Sequence, residues 1–354
     1  MAAPLRQLPR PLRVVLGVGL GTTLAFALGE VAVRVLGLAS PPTAVTLDQE
    51  SFNEFPGIHF PAPRTVDRSR RGLHFAVSIN QLGFRGPDIA LQKPQGETRI
   101  IVLGDSFAWG QFVDDSAALS IRLEAELAMT CTNTRVLNLA LPGSTIDAQR
   151  DILERALPLA PDAIVLVHHD NDVVDLRSPT LWVQLAESRE LKSAFPMNLV
   201  YPTLRRLALW SLLRDARTRM GAVERRRRAD APLSQHALPD IDSLRSRYAD
   251  QYAAFASRAA ELGIPLIVTA YPSHNALADR HRTTFGWFEE LVRSRGERYA
   301  DIHTSLAASG LPDSTLYLLP RDGHASPRGI AIAAGELARS LVTAPDAARY
   351  CTAR

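Results

Sequence analysis

From Arg99 to Phe107 the chain reads RIIVLGDSF. Ile100, Ile101, Val102 and Leu103 form a short unbroken apolar run, which predicts a strand buried on both faces, as strands of parallel sheets are. Gly104-Asp105-Ser106 closes it. A helix-like stretch follows at about 117–128, then a second apolar run at Arg135–Leu139 (RVLNL) that stops at Pro142-Gly143. Residues 147–156 are helical in pattern, and a third run, Ala163–His168 (AIVLVH), ends at His169-Asp170-Asn171-Asp172. After an interruption come a helix at 248–262, a fourth strand at Pro265–Ala270 (PLIVTA) and a last helix at 327–341, apolar at Ile330, Ile332, Leu337 and Leu341. Strands alternating with helices predict an α/β domain with a mostly parallel central sheet covered on both faces.

Open parallel sheets hold their ligands beyond the carboxyl ends of the strands. Four sequence elements there are unusual: Gly104-Asp105-Ser106-Phe107, the run from Asn138 to Gly143, Asp170-Asn171-Asp172, and Asp322-Gly323-His324 just before the last helix. A serine hydroxyl becomes nucleophilic only beside a base, and histidine is the usual base near neutral pH. That base needs an acceptor to hold its tautomer and stabilise the imidazolium. Ser106, His324 and Asp322 supply these three roles, and in an extended loop Asp322 and His324, two apart, leave the chain on the same side. The oxyanion of acyl transfer needs donors already aimed at it. The backbone N–H of Ser106, the backbone N–H of Gly143 and the side-chain NH₂ of Asn171 are the candidates. Each motif alone has an ordinary explanation, GDS as a capped strand-to-helix turn and DGH as a loop. The four in order make coincidence improbable.

On these residues the chain resembles the SGNH (GDSL-type) hydrolase and acyltransferase superfamily, over about residues 96–342. The residues for which the family is named match Ser106, Gly143, Asn171 and His324. The resemblance implies a flavodoxin-like three-layer α/β/α fold, a Ser-His-Asp triad, no metal or cofactor, and cleavage or transfer of acyl groups on esters of lipids, carbohydrates and envelope polymers. The segment Asn80–Pro87 ahead of the GDSF block also looks like membrane-tethered bacterial members linked with envelope polysaccharide. Two departures stand out. His169-Asp170 precedes Asn171-Asp172 where the family has a glycine before its Asn-Asp. The family's acid is often three residues before the histidine, where this chain has Arg321; Asp322 matches a variant among the envelope-polymer acyltransferases.

The chain has 354 residues, 46% hydrophobic and 22% charged, with a net charge of +3. That is the profile of a packed protein and nothing in it points to nucleic acid. Arg6, Arg10 and Arg13 precede the apolar run Val14–Gly29, with no acidic residue before Glu30, the pattern of an export signal. Ala25-Phe26-Ala27 could end a cleaved signal peptide. Alternatively, apolar character resumes after Glu30, with Glu30 and Arg34 one turn apart near the outer end of a retained anchor, the reading we favour. A buried helix of a soluble domain is the remaining possibility. The expected organisation is therefore an anchor or signal in 1–40, a linker and small β appendage in 41–95, and the hydrolase-like domain in 96–345, outside the cytoplasm.

The domain is interrupted at 177–240 by a basic segment with Arg205, Arg206, Arg214, Arg217, Arg219 and Arg225–Arg228. It could cap the site, rest on anionic lipid, or be a solvated helix and linker. Cys131 and Cys351 are either one disulfide of an exported protein or two free thiols. His168 and His169, adjacent on a strand, should face opposite ways and so not share a metal ion. Asp114-Asp115 reads as a solvated turn or helix cap, and Trp109 and Trp287 as core or pocket wall. The expected reaction is hydrolysis of acyl esters, with O-acyl groups of cell-envelope carbohydrate as substrate. An O-acyltransferase with the same triad and a non-catalytic glycan-binding protein are the alternatives.

Overall fold

The structure, a computed structural model, describes residues 9–38, 64–70, 73–177, 191, 194–204, 206–213, 216, 240–279 and 285–353. The linker at 40–63 and the arginine run Arg225–Arg228 lie outside the described residues. The chain forms two compact units. One is drawn from Met1–Thr46 and Arg189–Ala237, the other from Leu47–Ser188 and Leu238–Arg354.

The larger unit opens with an antiparallel ribbon, β1 (Arg64–Arg70) and β2 (Leu73–Ile79). Then come β3 (Thr98–Gly104), α2 (Ser106–Trp109), α3 (Leu119–Leu127), β4 (Cys131–Thr132), β5 (Thr134–Asn138), α4 (Ile146–Ala156), β6 (Ala163–His169) and α5 (Asn171–Asp175). After the segment of the other unit follow α7 (Ile241–Glu261), β7 (Leu266–Tyr271), α8 (His274–Ala278), α9 (Phe285–Ser294), β8 (Arg298–Tyr299), α10 (Ile302–Ala308), α11 (Asp313–Leu316), α12 (Pro327–Val342) and β9 (Thr352–Ala353). The smaller unit holds α1 (Arg10–Val35) and α6 (Met197–Leu204), followed by a short helical run at 208–213.

β5, β3, β6, β7 and β8 lie side by side in that order and are all parallel. In order of appearance this is 2-1-3-4-5, the flavodoxin-like order, with its topological switch between β3 and β6. Every residue of β3 and of β6 is buried, which is why both read as unbroken apolar runs. Helices α3 and α12 pack together as one layer and α4, α5 and α7 as the other. Leu244, Tyr248, Tyr252, Phe255 and Ala259, spaced three to four apart, form the buried stripe of α7.

The adjacent histidines face opposite layers. His168 stacks on Phe288 and meets Tyr248, whereas His169 stacks on Phe107. They cannot ligate one ion. Asp114 is exposed and stands at the cap position of a short 3₁₀ turn at Asp115–Ala117, but the two carboxylates also bind backbone. Asp114 accepts the Ala76 N–H at 2.7 Å and Asp115 the Ser78 N–H at 2.6 Å, so the pair satisfies backbone donors of β2. Cys131 and Cys351 form a disulfide with Cα atoms 5.0 Å apart, beside the β4–β9 pairing. By length and composition α1 can cross a membrane: the stretch Pro11–Val35 is 25 residues long and contains an 18-residue window with a mean hydropathy of 1.8.

Candidate active site

Gly104 ends β3 with φ +147°. A Cβ there would lie 2.6 Å from the Val167 carbonyl oxygen and 2.7 Å from the Ala108 Cβ. Only glycine lets the chain turn from strand into α2 this close to β6. Asp105 caps α2, its carboxylate accepting the Phe107 N–H at 2.9 Å. This holds Ser106 at the first position of the helix, where its own N–H has no intrahelical partner.

The opposite wall is the loop between α11 and α12. Leu318 donates to the His324 carbonyl at 2.9 Å, Tyr317 bridges Ala325, and Ser326 donates to the Leu316 carbonyl at 2.9 Å. The loop is thus closed at its base, and Asp322-Gly323-His324 stands at its tip. His324 Nε2 lies 2.9 Å from Ser106 Oγ. His324 Nδ1 is hydrogen-bonded to Asp322 Oδ1, which also accepts the His324 backbone N–H at 2.9 Å. Asp322 is buried and the His324 side chain is 24% exposed. One ring nitrogen is held by a buried carboxylate, so the other presents its lone pair to the serine. The Ser106 hydroxyl also lies 3.3 Å from Asp105 Oδ2, but the imidazole contact is the shorter.

Two further loops reach the same strand ends. After β5, Leu141 donates to the Gly104 carbonyl at 2.9 Å and Ser144 Oγ to the same oxygen at 3.0 Å. These bonds tie the Gly143 turn, φ +77°, to the turn that bears Ser106. After β6, Asn171 opens α5 and donates one side-chain N–H to Asp175 at 2.8 Å, which orients its amide. Asp172, which follows, is fully buried and accepts the His169 N–H at 3.1 Å. Burial, with the Asp105 charge nearby, pushes its carboxyl well above the usual range. Burial pushes His168 down to about 3; its Nδ1 is hydrogen-bonded to Tyr248 OH at 3.0 Å, and the approach of Asp172 to 3.2 Å is to a neutral ring and not an ion pair.

Sequence reasoning missed three supporting residues. Phe107 lies between two imidazoles, 3.6 Å from the His169 ring and 4.9 Å from the His324 ring, centroid to centroid. His169 Nδ1 donates to the Tyr271 carbonyl at 2.9 Å, which fixes one end of that stack. Arg85, buried in the appendage, donates to the carbonyls of Trp109 at 3.1 Å, Gly110 at 2.5 Å and Val113 at 2.7 Å. Its charge meets Asp115 at 2.8 Å and the Trp109 ring at 4.6 Å. It thereby satisfies carbonyls at the C-terminal end of the helix that bears Ser106. The signal for Arg85 was its place in Asn80–Pro87; the two aromatic stacks had none.

The chain is similar to three solved structures, among them a lipolytic protein of the G-D-S-L family. A lipolytic protein of the G-D-S-L family from Desulfitobacterium hafniense DCB-2 is 12% identical, with 69% of this chain and 99% of that one covered and a TM-score of 0.40. A lipase/acylhydrolase from Enterococcus faecalis is 13% identical, with 69% and 95% covered and a TM-score of 0.39. A catalytic mutant of an acetylxylan esterase from Geobacillus stearothermophilus is 14% identical, with 70% and 95% covered and a TM-score of 0.40. No family model matches the chain, and no curated protein does.

Proposed function

We propose that the protein is a serine esterase that cleaves acyl esters through an acyl-enzyme on Ser106. The observation that carries this reading is the hydrogen-bonded line from Ser106 Oγ, 2.9 Å from His324 Nε2, through the imidazole to buried Asp322. Ser106 Oγ attacks the ester carbonyl carbon while His324 Nε2 takes the hydroxyl proton. Asp322 holds the Nδ1–H tautomer and stabilises the imidazolium. The N–H groups of Ser106 and Gly143 and the Asn171 amide stabilise the oxyanion. Collapse of the tetrahedral species expels the alcohol, which takes the proton from His324. Water then attacks the acyl-enzyme, gives its proton to His324, and the carboxylic acid leaves as Ser106 recovers its hydrogen.

We read α1 as a membrane anchor with the larger unit outside the cytoplasm, supported by its length and apolarity and by the Cys131–Cys351 disulfide, a bond of oxidising compartments. In that location O-acyl groups of cell-envelope carbohydrate are the substrate class we assign. The test is turnover of p-nitrophenyl esters of increasing chain length by the full chain in detergent, beside Ser106→Ala, with fluorophosphonate labelling of both. Steady release and labelling that both require Ser106 support the esterase. A burst of one equivalent that then stalls would instead indicate an acyl-enzyme waiting for an alcohol acceptor. Labelling that persists in Ser106→Ala would remove Ser106 as nucleophile.

A further inference from the structure

Glu30 is the first acidic residue of the chain, set in an otherwise apolar stretch of α1. Its carboxylate does not simply face solvent. Oε1 accepts the Ala208 N–H at 2.8 Å and Oε2 the Leu209 N–H at 2.9 Å. One turn on, Arg34 bonds Glu30 at 2.7 Å and donates to the Arg206 carbonyl at 2.9 Å. The Leu209 side chain packs against α1 at the same place, since a Cβ on Gly29 would lie 3.2 Å from Leu209 Cδ1. Glu30 thus caps the helical run at 208–213 with both oxygens and clips a segment nearly 180 residues away to the last turns of α1.

The height of this clip follows from helix geometry. At 1.5 Å per residue, Glu30 stands about 30 Å from Arg10 along the axis, the thickness of a bilayer's hydrocarbon core. If α1 spans a membrane, as read above, Glu30 and Arg34 sit at its outer boundary, and so does whatever they hold. The segment they hold exposes four large apolar side chains. Leu199 is 68% exposed and Leu213 60%, with Phe195 and Val200 also exposed. Arg206 is exposed beside them, preceded in the sequence by Arg205 and followed by Arg214 and Arg217. Exposed apolar side chains flanked by arginines are the composition of a helix lying in the headgroup and acyl boundary of an anionic membrane.

We propose that residues 194–213 form a second, interfacial element of the membrane anchor, with Phe195, Leu199, Val200 and Leu213 buried in the outer leaflet of an anionic bilayer and Glu30 as its clip. This rests on the reading of α1 as a membrane span and continues that surface sideways. The segment that interrupts the α/β domain in sequence is then a tether to lipid.

The experiment uses the full chain in vesicles of phosphatidylcholine and phosphatidylglycerol, with bimane attached at Leu199→Cys, Leu213→Cys or, as a control on the larger unit, the exposed Met129→Cys. Brominated lipids should quench bimane at 199 and 213 severalfold more than at 129. Equal quenching at the three sites overturns the proposal. A blue-shifted but unquenched probe at 199 also overturns it, since it places the side chain against protein. Alkaline carbonate extraction of the same vesicles tests α1 separately, because release of the chain would sink the span itself. In Glu30→Leu, carbonate resistance should persist while quenching at 199 falls by half or more; unchanged quenching would show that Glu30 is not the clip.

Discussion

At Asp322 the placement of one carboxylate matters more than its presence. The chain carries Arg321 three residues before His324 and an acid two residues before it. The loop resolves this by folding Asp322 back so that one oxygen meets both the His324 ring and its backbone N–H. A carboxylate fixed on both groups leaves the imidazole one productive tautomer. Asp322→Asn keeps the shape but permits the amide to donate to Nδ1, which puts the ring proton on Nε2, facing Ser106. Turnover of a p-nitrophenyl ester should then fall on the order of 10³–10⁴-fold with little change in KM. A fall of less than about tenfold would assign the orienting role elsewhere.

Among the elements, the strand-to-helix turn at Gly104 is the least tolerant. Gly104→Ala would drive a Cβ into the Val167 carbonyl and the Ala108 Cβ, at a φ that L residues rarely adopt. It should cost about 2–4 kcal/mol in denaturant unfolding and displace Ser106, so the residual folded protein should also turn over slowly. This turn was legible in the sequence because burial on both faces leaves a continuous apolar run with a glycine at its end; β5, β6 and β7 were legible from their largely apolar runs alone. β8 was not legible. It is two residues, Arg298 and Tyr299, half-exposed and with no run to read. The helix before β7 starts at Ile241, seven residues before the expected start, because its first turns are polar and only Leu244 faces inward. At the candidate site Ser106, His324 and Asp322, which the structure brings into one hydrogen-bonded line, were legible by chemistry, whereas Phe107, His169 and Arg85 enter through stacking and carbonyl contacts that need three dimensions. β6 also carries a pH signature. Buried His168 stays neutral down to about 3, while an unfolded imidazole protonates from 6.5. In that window the unfolded state binds more protons, so the contribution of His168 to stability falls as pH falls, by up to about 1.4 kcal/mol per pH unit. Asp172 acts in the opposite sense: its raised folded value keeps a proton on the native state, a contribution lost as pH rises through that value. His168→Asn should therefore flatten the acid limb of unfolding free energy between pH 7 and 5, and an unchanged slope would contradict the neutral burial of this ring.

Across the whole molecule, a crosslink ties the last residues of the larger unit back to its first half. Cys131 follows α3, the first long helix after the turn that bears Ser106, and Cys351 follows α12, the helix after His324. The disulfide between them spans 220 positions, with the two-residue strands β4 and β9 paired alongside. The layer of α3 and α12 that it joins lies directly behind both halves of the candidate site, Ser106 ahead of one helix and His324 ahead of the other. Loop-closure entropy grows only logarithmically with length, so so long a loop adds little over a shorter one, yet it lies at the upper end of what a crosslink contributes. Two strands of two residues each cannot hold that corner alone. Replacing both cysteines with serine should lower unfolding free energy by about 2–5 kcal/mol, and treatment of the native chain with dithiothreitol should do the same. If the triad is held by this layer, the activity of the double variant should decline at lower temperature than that of the parent while its rate at low temperature stays close to normal. Unchanged thermal inactivation would mean that α3 and α12 hold the site by packing alone.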